Sequence, residues 1–92
     1  MKCYKQAENI ECQQFDQESI LLNIQTGIYF RLNELGGYIW PLLDGEHSIR
    51  EIITSIVAEF DVSADTAEKD FLHFMDELLK EELVQITKCY IA

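Results

Sequence analysis

The stretch LLNIQTGIYFRLNELGGYIW, residues 21–40, constrains the fold more than any other part of this chain. Two apolar runs, 20–24 and 28–32, flank Gln25, Thr26 and Gly27, a tight-turn signal. The second run carries Tyr29, Phe30 and Leu32 and passes directly into a helix, which Asn33 can cap. No further strand follows, so residues 28–32 are left at the edge of their sheet. An open edge presents a row of unpaired N–H and C=O groups and is a liability unless it is covered or used.

Side chains argue for the length of the turn. A three-residue loop with Gly27 in the left-handed conformation pairs Ile24 with Ile28, Leu22 with Phe30 and Ile20 with Leu32. All six then share one face, and Leu21, Asn23, Tyr29 and Arg31 lie on the other. A two-residue loop would set Leu22 against Arg31 and Asn23 against Phe30, which mixes the faces.

Residues 1–8 are polar and are expected to be flexible. NIECQQF, 9–15, alternates weakly and reads as a first strand, and DQES, 16–19, as a turn. After the hairpin, ELGGYIWPLLDG reads as a weak helix. It begins near Leu35, is loosened by Gly36 and Gly37, kinks before Pro41 and stops at Gly45. Ser48 and Glu51 form a capping box, followed by Ile49, Ile52, Ile53, Ile56, Val57 and Phe60 at helical spacing. Ser63 or Asp61 caps a third helix, from about Ala64 to Lys80, with Ala67, Phe71, Phe74, Met75 and Leu78 in one stripe. Residues 83–86 are apolar enough to pack back on the core. The expected fold is α+β: a three-stranded antiparallel sheet followed by three helices, resembling a winged helix-turn-helix with its wing placed first. The chain of 92 residues is expected to be one small domain.

Composition excludes several functions. Seventeen Asp and Glu face seven Lys and Arg, a net charge of −10. A winged-helix DNA binder needs a basic face, and here the second helix offers only Arg50 and the third only Lys69 and Lys80. An acidic chain suits peptides or proteins with basic groups, not nucleic acid or anionic membranes. Without a membrane span or signal peptide it is expected in the cytoplasm. Cys3, Cys12 and Cys89 are widely spaced, and with His47 and His73 they form no metal-ligand pattern; reduced thiols are expected. There is no glycine-rich phosphate loop and no nucleophile elbow. Ser48 is explained by helix capping, since the three strands exclude a carrier-protein bundle. No enzyme activity, cofactor or metal is expected.

What remains is the edge strand beside the third helix. Such a pair makes a groove in which an extended peptide adds a strand by main-chain hydrogen bonds while alternate side chains enter pockets. Candidate contacts on the strand are Ile28, Tyr29, Phe30, Arg31 and Leu32. On the helix they are Phe71, Leu72, Met75, Asp76 and Leu79, with Leu72 and Asp76 facing the groove off the main stripe. The acidic helix, with Asp70, Asp76 and Glu77, favours a peptide bearing Lys or Arg.

Over about residues 18–86 the chain resembles the PqqD-like family, the recognition elements of ribosomally made, modified peptides. The resemblance rests on Gly27, Phe30, Leu32 and Asn33, then Trp40, then Asp44 and Gly45, then Ile49, Glu51 and Ile52. It implies binding of a precursor's leader segment and its presentation to processing enzymes, with no chemistry of the domain's own. Free-standing members of this size look most like those of lasso-peptide pathways. There the partners are a leader-removing cysteine protease and a cyclase. A pyrroloquinoline-quinone-type chaperone serving a radical enzyme is the alternative within the family, and a winged-helix DNA-binding regulator the alternative outside it. Two positions depart from the family pattern: Pro41, and Glu82 where a glycine is usual, so that the third helix is expected to end without a left-handed cap.

Overall fold

The computed structural model describes residues 2–16 and 18–88. In chain order these form β1 (Lys2–Gln6), β2 (Ile10–Phe15), β3 (Glu18–Asn23), β4 (Tyr29–Leu32), α1 (Glu34–Ile39), a 3-10 turn (Trp40–Leu42), α2 (Ile49–Phe60), α3 (Ala64–Lys80) and β5 (Val84–Lys88). β2, β3 and β4 make a three-stranded antiparallel sheet in that order, and β1 pairs with β5 in a separate two-stranded one. The α+β arrangement of a three-stranded sheet with three helices is present.

The first residues differ from expectation. Residues 2–6 are a strand, with Lys2 opposite Lys88 and Gln6 opposite Val84. Cys3 is fully buried, and Tyr4 packs edge-on against Phe71, ring centroids 5.7 Å apart. The polar composition of this segment hid a strand whose partner lies at the far end of the chain. Backbone bonds from Gln6 to the Leu43 carbonyl and from Ala7 to that of Leu83 tie it down further. Cys3 is disulfide-bonded, so the expectation of reduced thiols does not hold for it. Cys12 is a free thiol, and Cys89 lies outside the described residues.

The helices follow their local signals. Asn33 accepts the Gly36 N–H at 2.8 Å and starts α1. The α-helix ends at Ile39, and Pro41 sits in the first turn of the 3-10 segment, where its missing N–H goes unneeded. Gly36 and Gly37 have a packing role as well. A β-carbon on Gly37 would lie 2.9 Å from the Ser19 hydroxyl, and one on Gly36 would lie 3.1 Å from the Phe74 ring. The pair lets α1 lie close to both β3 and α3. Ser48 and Glu51 make both bonds of the capping box of α2, at 2.9 and 3.1 Å. Ser63 caps α3.

One buried cluster joins these elements. Leu21 and Leu32 come from the sheet, Ile39, Trp40 and Leu43 from α1 and its turn, and Ile52 and Ile56 from α2. Ala67, Phe71, Met75 and Leu78 of α3, with Leu83 and Val84 beyond it, complete the cluster. No helix among the described residues is long and apolar enough to cross a membrane.

The end of α3 corrects a second expectation. The Glu82 N–H bonds to the Leu79 carbonyl and the Leu83 N–H to that of Leu78, the paired bonds of a Schellman ending. Glu82 takes the left-handed conformation, φ +58°, although it is not glycine. Closing the helix and turning into β5 outweigh the cost of a β-carbon there. Glu82→Gly is therefore expected to stabilise the protein by about 1 kcal/mol, raising Tm by roughly 4–8 °C in a thermal melt.

A pH dependence follows from the loop before α2. Partial burial pushes the Asp44 carboxyl up, but N–H donors from His47 and Glu46 and the His47 ring outweigh it and hold it below its ordinary value. A carboxyl lowered on folding contributes stability above its unfolded pKa of about 3.9 and loses it as pH falls through the folded value. Asp44→Asn keeps an oxygen for the backbone donors but does not titrate. Its Tm should fall less than the parent's between pH 5 and pH 3, measured side by side.

Candidate functional site

The hairpin decides what β4 offers. Its observed register sets Leu22 opposite Tyr29, Leu21 opposite Phe30, Ile20 opposite Arg31 and Ser19 opposite Leu32. This is one residue away from the expected pairing, because the loop has four residues, Ile24 to Gly27. The Asn23 side chain accepts from the N–H groups of Gln25 and Thr26, the Thr26 hydroxyl accepts from Ile28 N–H, and Gly27 takes φ +75°. Side-chain bonding inside the turn, not strand patterning, sets its length. Leu21 and Ser19 consequently share the core face with Phe30 and Leu32. Ile20 and Leu22 join Tyr29 and Arg31 on the other.

The register also says which backbone groups are free. The Asn23 N–H bonds to the Ile28 carbonyl at 3.0 Å, which makes 23 and 28 a hydrogen-bonded pair. Alternation along an antiparallel ladder then makes Leu21–Phe30 and Ser19–Leu32 the bonded pairs. Tyr29 and Arg31 direct their N–H and C=O groups away from β3, and no described residue pairs with them. The edge of β4 is open at these two residues.

Across from this edge lies α3, running antiparallel to β4. A first recess, with a cavity volume of about 180 Å³, is lined by Asn23, Thr26, Ile28, Tyr29 and Phe30 from the hairpin and by Lys80, Glu81, Glu82 and Leu83 from the end of α3. A second, of about 280 Å³, is lined by Asn33, Leu35 and Gly36 at the start of α1 and by Asp70, His73, Phe74 and Glu77. Both recesses lie along α3, the first at its C-terminal end and the second around Phe74, and together they mark a groove on this side of the helix. The first is smaller than a typical small-molecule site, so it suits single side chains better than a cofactor. Phe30 and Phe74 are half-buried in this groove, while Ile28 is 62% and Tyr29 68% exposed.

The structure brings together only part of the set singled out from sequence. Ile28, Tyr29 and Phe30 line the first recess. Arg31 faces the outer side of the sheet, where it pairs with Glu18 at 2.8 Å. Leu32, Phe71 and Met75 are buried in the core. Leu72 lies in a separate shallow depression with Asp65, Thr66, Glu68 and Lys69. Asp76 and Leu79 share another with His73, Glu77 and Lys80, and Asp76 is near enough to Tyr4 to add to the upward shift that burial gives its phenol. The residues of α3 that line the two recesses are Asp70, His73, Phe74, Glu77 and Lys80. The signal for them was their common spacing of three and four, but the opposite flank, with Leu72, Asp76 and Leu79, has the same spacing.

No group of three His, Cys, Asp or Glu residues able to hold a metal occurs among the described residues. Burial pushes the Cys12 thiol up, the wrong direction for a nucleophile. His47 and Asp44 are 2.8 Å apart, but Asp44 serves as a cap for the loop before α2.

The family model for "Coenzyme PQQ synthesis protein D (PqqD)" matches residues 18–84, most of the chain. This chain belongs to the PqqD family. The match begins at β3 and ends at the first residue of β5, so β1 and β2 precede the part of the fold that it covers. Among solved structures, one described as "TbiB1 in Complex with the TbiA(beta) Leader Peptide" is 36% identical, with a TM-score of 0.80 over 88% of this chain and 94% of that one. A second, "Lasso peptide synthetase B1 complexed with the leader peptide", is 23% identical and shares the fold at the same TM-score, over 89% of this chain and 96% of that one. None of the curated proteins matches the chain.

The two flanks of α3 can be told apart from its core by stability alone. Phe71→Ala should cost about 3–5 kcal/mol, comparable to the whole stability of a small domain. Leu72→Ala, on an exposed flank, should cost under about 1 kcal/mol. Urea unfolding of both variants checks the assignment.

Proposed function

We propose that this protein binds the leader segment of a ribosomally made precursor peptide, which adds as a strand to the edge of β4 and lies in the groove against α3. The observation that carries the reading is the open backbone of Tyr29 and Arg31 on a strand flanked by two recesses of side-chain size, one at each of its ends. Strand addition supplies affinity through the main chain and specificity through alternate side chains. Likeness to a structure described as TbiB1 holding the TbiA(beta) leader peptide supports it, and a fold shared with a lasso peptide synthetase B1 is consistent with a lasso-peptide pathway. In that setting the domain performs no chemistry. It delivers the bound precursor, in the cytoplasm, to a leader-removing cysteine protease and then a cyclase. The whole chain acts as one recognition domain.

The description of the matched family model favours a second reading, a peptide chaperone in coenzyme PQQ synthesis. The peptide-binding step is the same in both, and only the enzyme served differs. A winged-helix topology is compatible with the order of elements, but a net charge of −10 argues against a DNA-binding role.

The test is amide hydrogen exchange at single-residue resolution, with the TbiA(beta) leader as the probe. Saturating leader should slow exchange at Tyr29 and Arg31. Phe30 and Leu32, already bonded to β3, should change far less. Leader binding that leaves Tyr29 and Arg31 unprotected would rule out addition at this edge.

A further inference from the structure

We propose that the recess beside Phe74 takes a lysine or arginine side chain of the bound peptide, so that this protein selects leaders with a basic residue at a fixed distance from an apolar anchor. The inference rests on the groove being the leader site.

The residue types around the recess carry the argument. Asp70, Phe74 and Glu77 stand on one side of α3, at spacings of four and three. The Phe74 ring and Leu35 form an apolar floor, and the carboxylates stand a turn away on either side of the ring. Every charged group lining this recess is on α3: Asp70, His73 and Glu77. From α1 come only Asn33, whose side-chain oxygen already accepts the Gly36 N–H, with Leu35 and Gly36. Asp70 has no ion pair among the described residues, and Glu77 has only the exposed contact to His73, 3.2 Å. Carboxylates alone would be a solvated helix face. Here they flank an aromatic floor whose lining begins at Asn33, the residue that follows β4, so a peptide added along β4 and continuing past its end would present a side chain to them. An apolar side chain would bury the floor but strip water from the carboxylates. An acidic one would be repelled. A lysine or arginine lays its methylenes on the ring and keeps its charge between the two acids. The chain's net charge of −10 favours the same choice at longer range.

The fold also sets the spacing. The first recess is centred near Lys80 and the second near Phe74, about six to seven residues along α3, or roughly 10 Å. An extended peptide covers that in about three residues, and side chains on one face are an even number apart. The basic residue should therefore lie two or four residues from the apolar one that enters the first recess.

A displayed library of random 14-residue peptides, selected on the intact protein, tests this without knowledge of the natural precursor. Enriched peptides should carry Lys or Arg at that spacing. Replacing it with norleucine should weaken binding about five-fold to the parent and under two-fold to an Asp70→Asn, Glu77→Gln double variant. These changes are on an exposed face, and an unchanged Tm for the variant would verify that it is folded. Amide exchange at Tyr29 and Arg31, recorded with each selected peptide, keeps the two readings apart. Peptides that protect those amides but show no basic preference, or lose equally to parent and variant, overturn the basic recess and leave the groove standing. A selection in which no peptide protects them overturns the groove, and the recess with it.

Discussion

Burial of a single stripe on α3 positions everything else. Ala67, Phe71, Met75 and Leu78 are fully enclosed, and Phe71 meets Tyr4 from the one sheet while sharing the core with Leu21 and Leu32 from the other. A helix held by one face cannot roll, because rolling would expose Phe71 and break a close-packed core. Its two flanks are therefore fixed, one along β4 and one toward β1. The Schellman ending at Glu82 and the pairing of β5 with β1 hold the far end of the helix. The groove is the space left between a helix that cannot turn and a strand that has no further neighbour among the described residues.

Much of this was legible in the residues. Ser48 with Glu51, Ser63 and Asn33 each carry their own hydrogen-bonding instruction, so the helix starts could be read locally. The stripe of α3 and the face of Ile52 and Ile56 follow from periodicity. Three things were not legible, each for its own reason. The turn after Asn23 is one residue longer than strand patterning suggests, because hydrogen bonds from the Asn23 and Thr26 side chains close it. β1 exists only because β5 returns beside it, a pairing that spans nearly the whole chain. The groove flank of α3 cannot be chosen from spacing, since Asp70, Phe74 and Glu77 repeat as regularly as Leu72, Asp76 and Leu79. That choice depends on which way the helix crosses the sheet.

Family membership and geometry complement each other. The matched residues, 18–84, include the hairpin, all three helices and the groove between them. They do not include β1 or most of β5, the pair that clamps α3 from behind. The part that would meet a peptide is shared with the family, and part of what holds it rigid lies beyond the match. The glycines that bring α1 against Ser19 and Phe74 do similar work from inside the matched region, and one of them, Gly36, lines the second recess.

The turn at Asn23 has a consequence beyond its own length. A β-strand has a phase: shift it by one residue and every amide that pointed outward points inward, while each side chain changes face. The turn's hydrogen bonds lie within the turn itself, so the phase of β4 is set before any peptide arrives. Tyr29 and Arg31 are aimed outward in the empty protein, so a strand added at this edge would meet a single alignment. A side chain bonded within its own turn thus determines which backbone groups of the edge face outward.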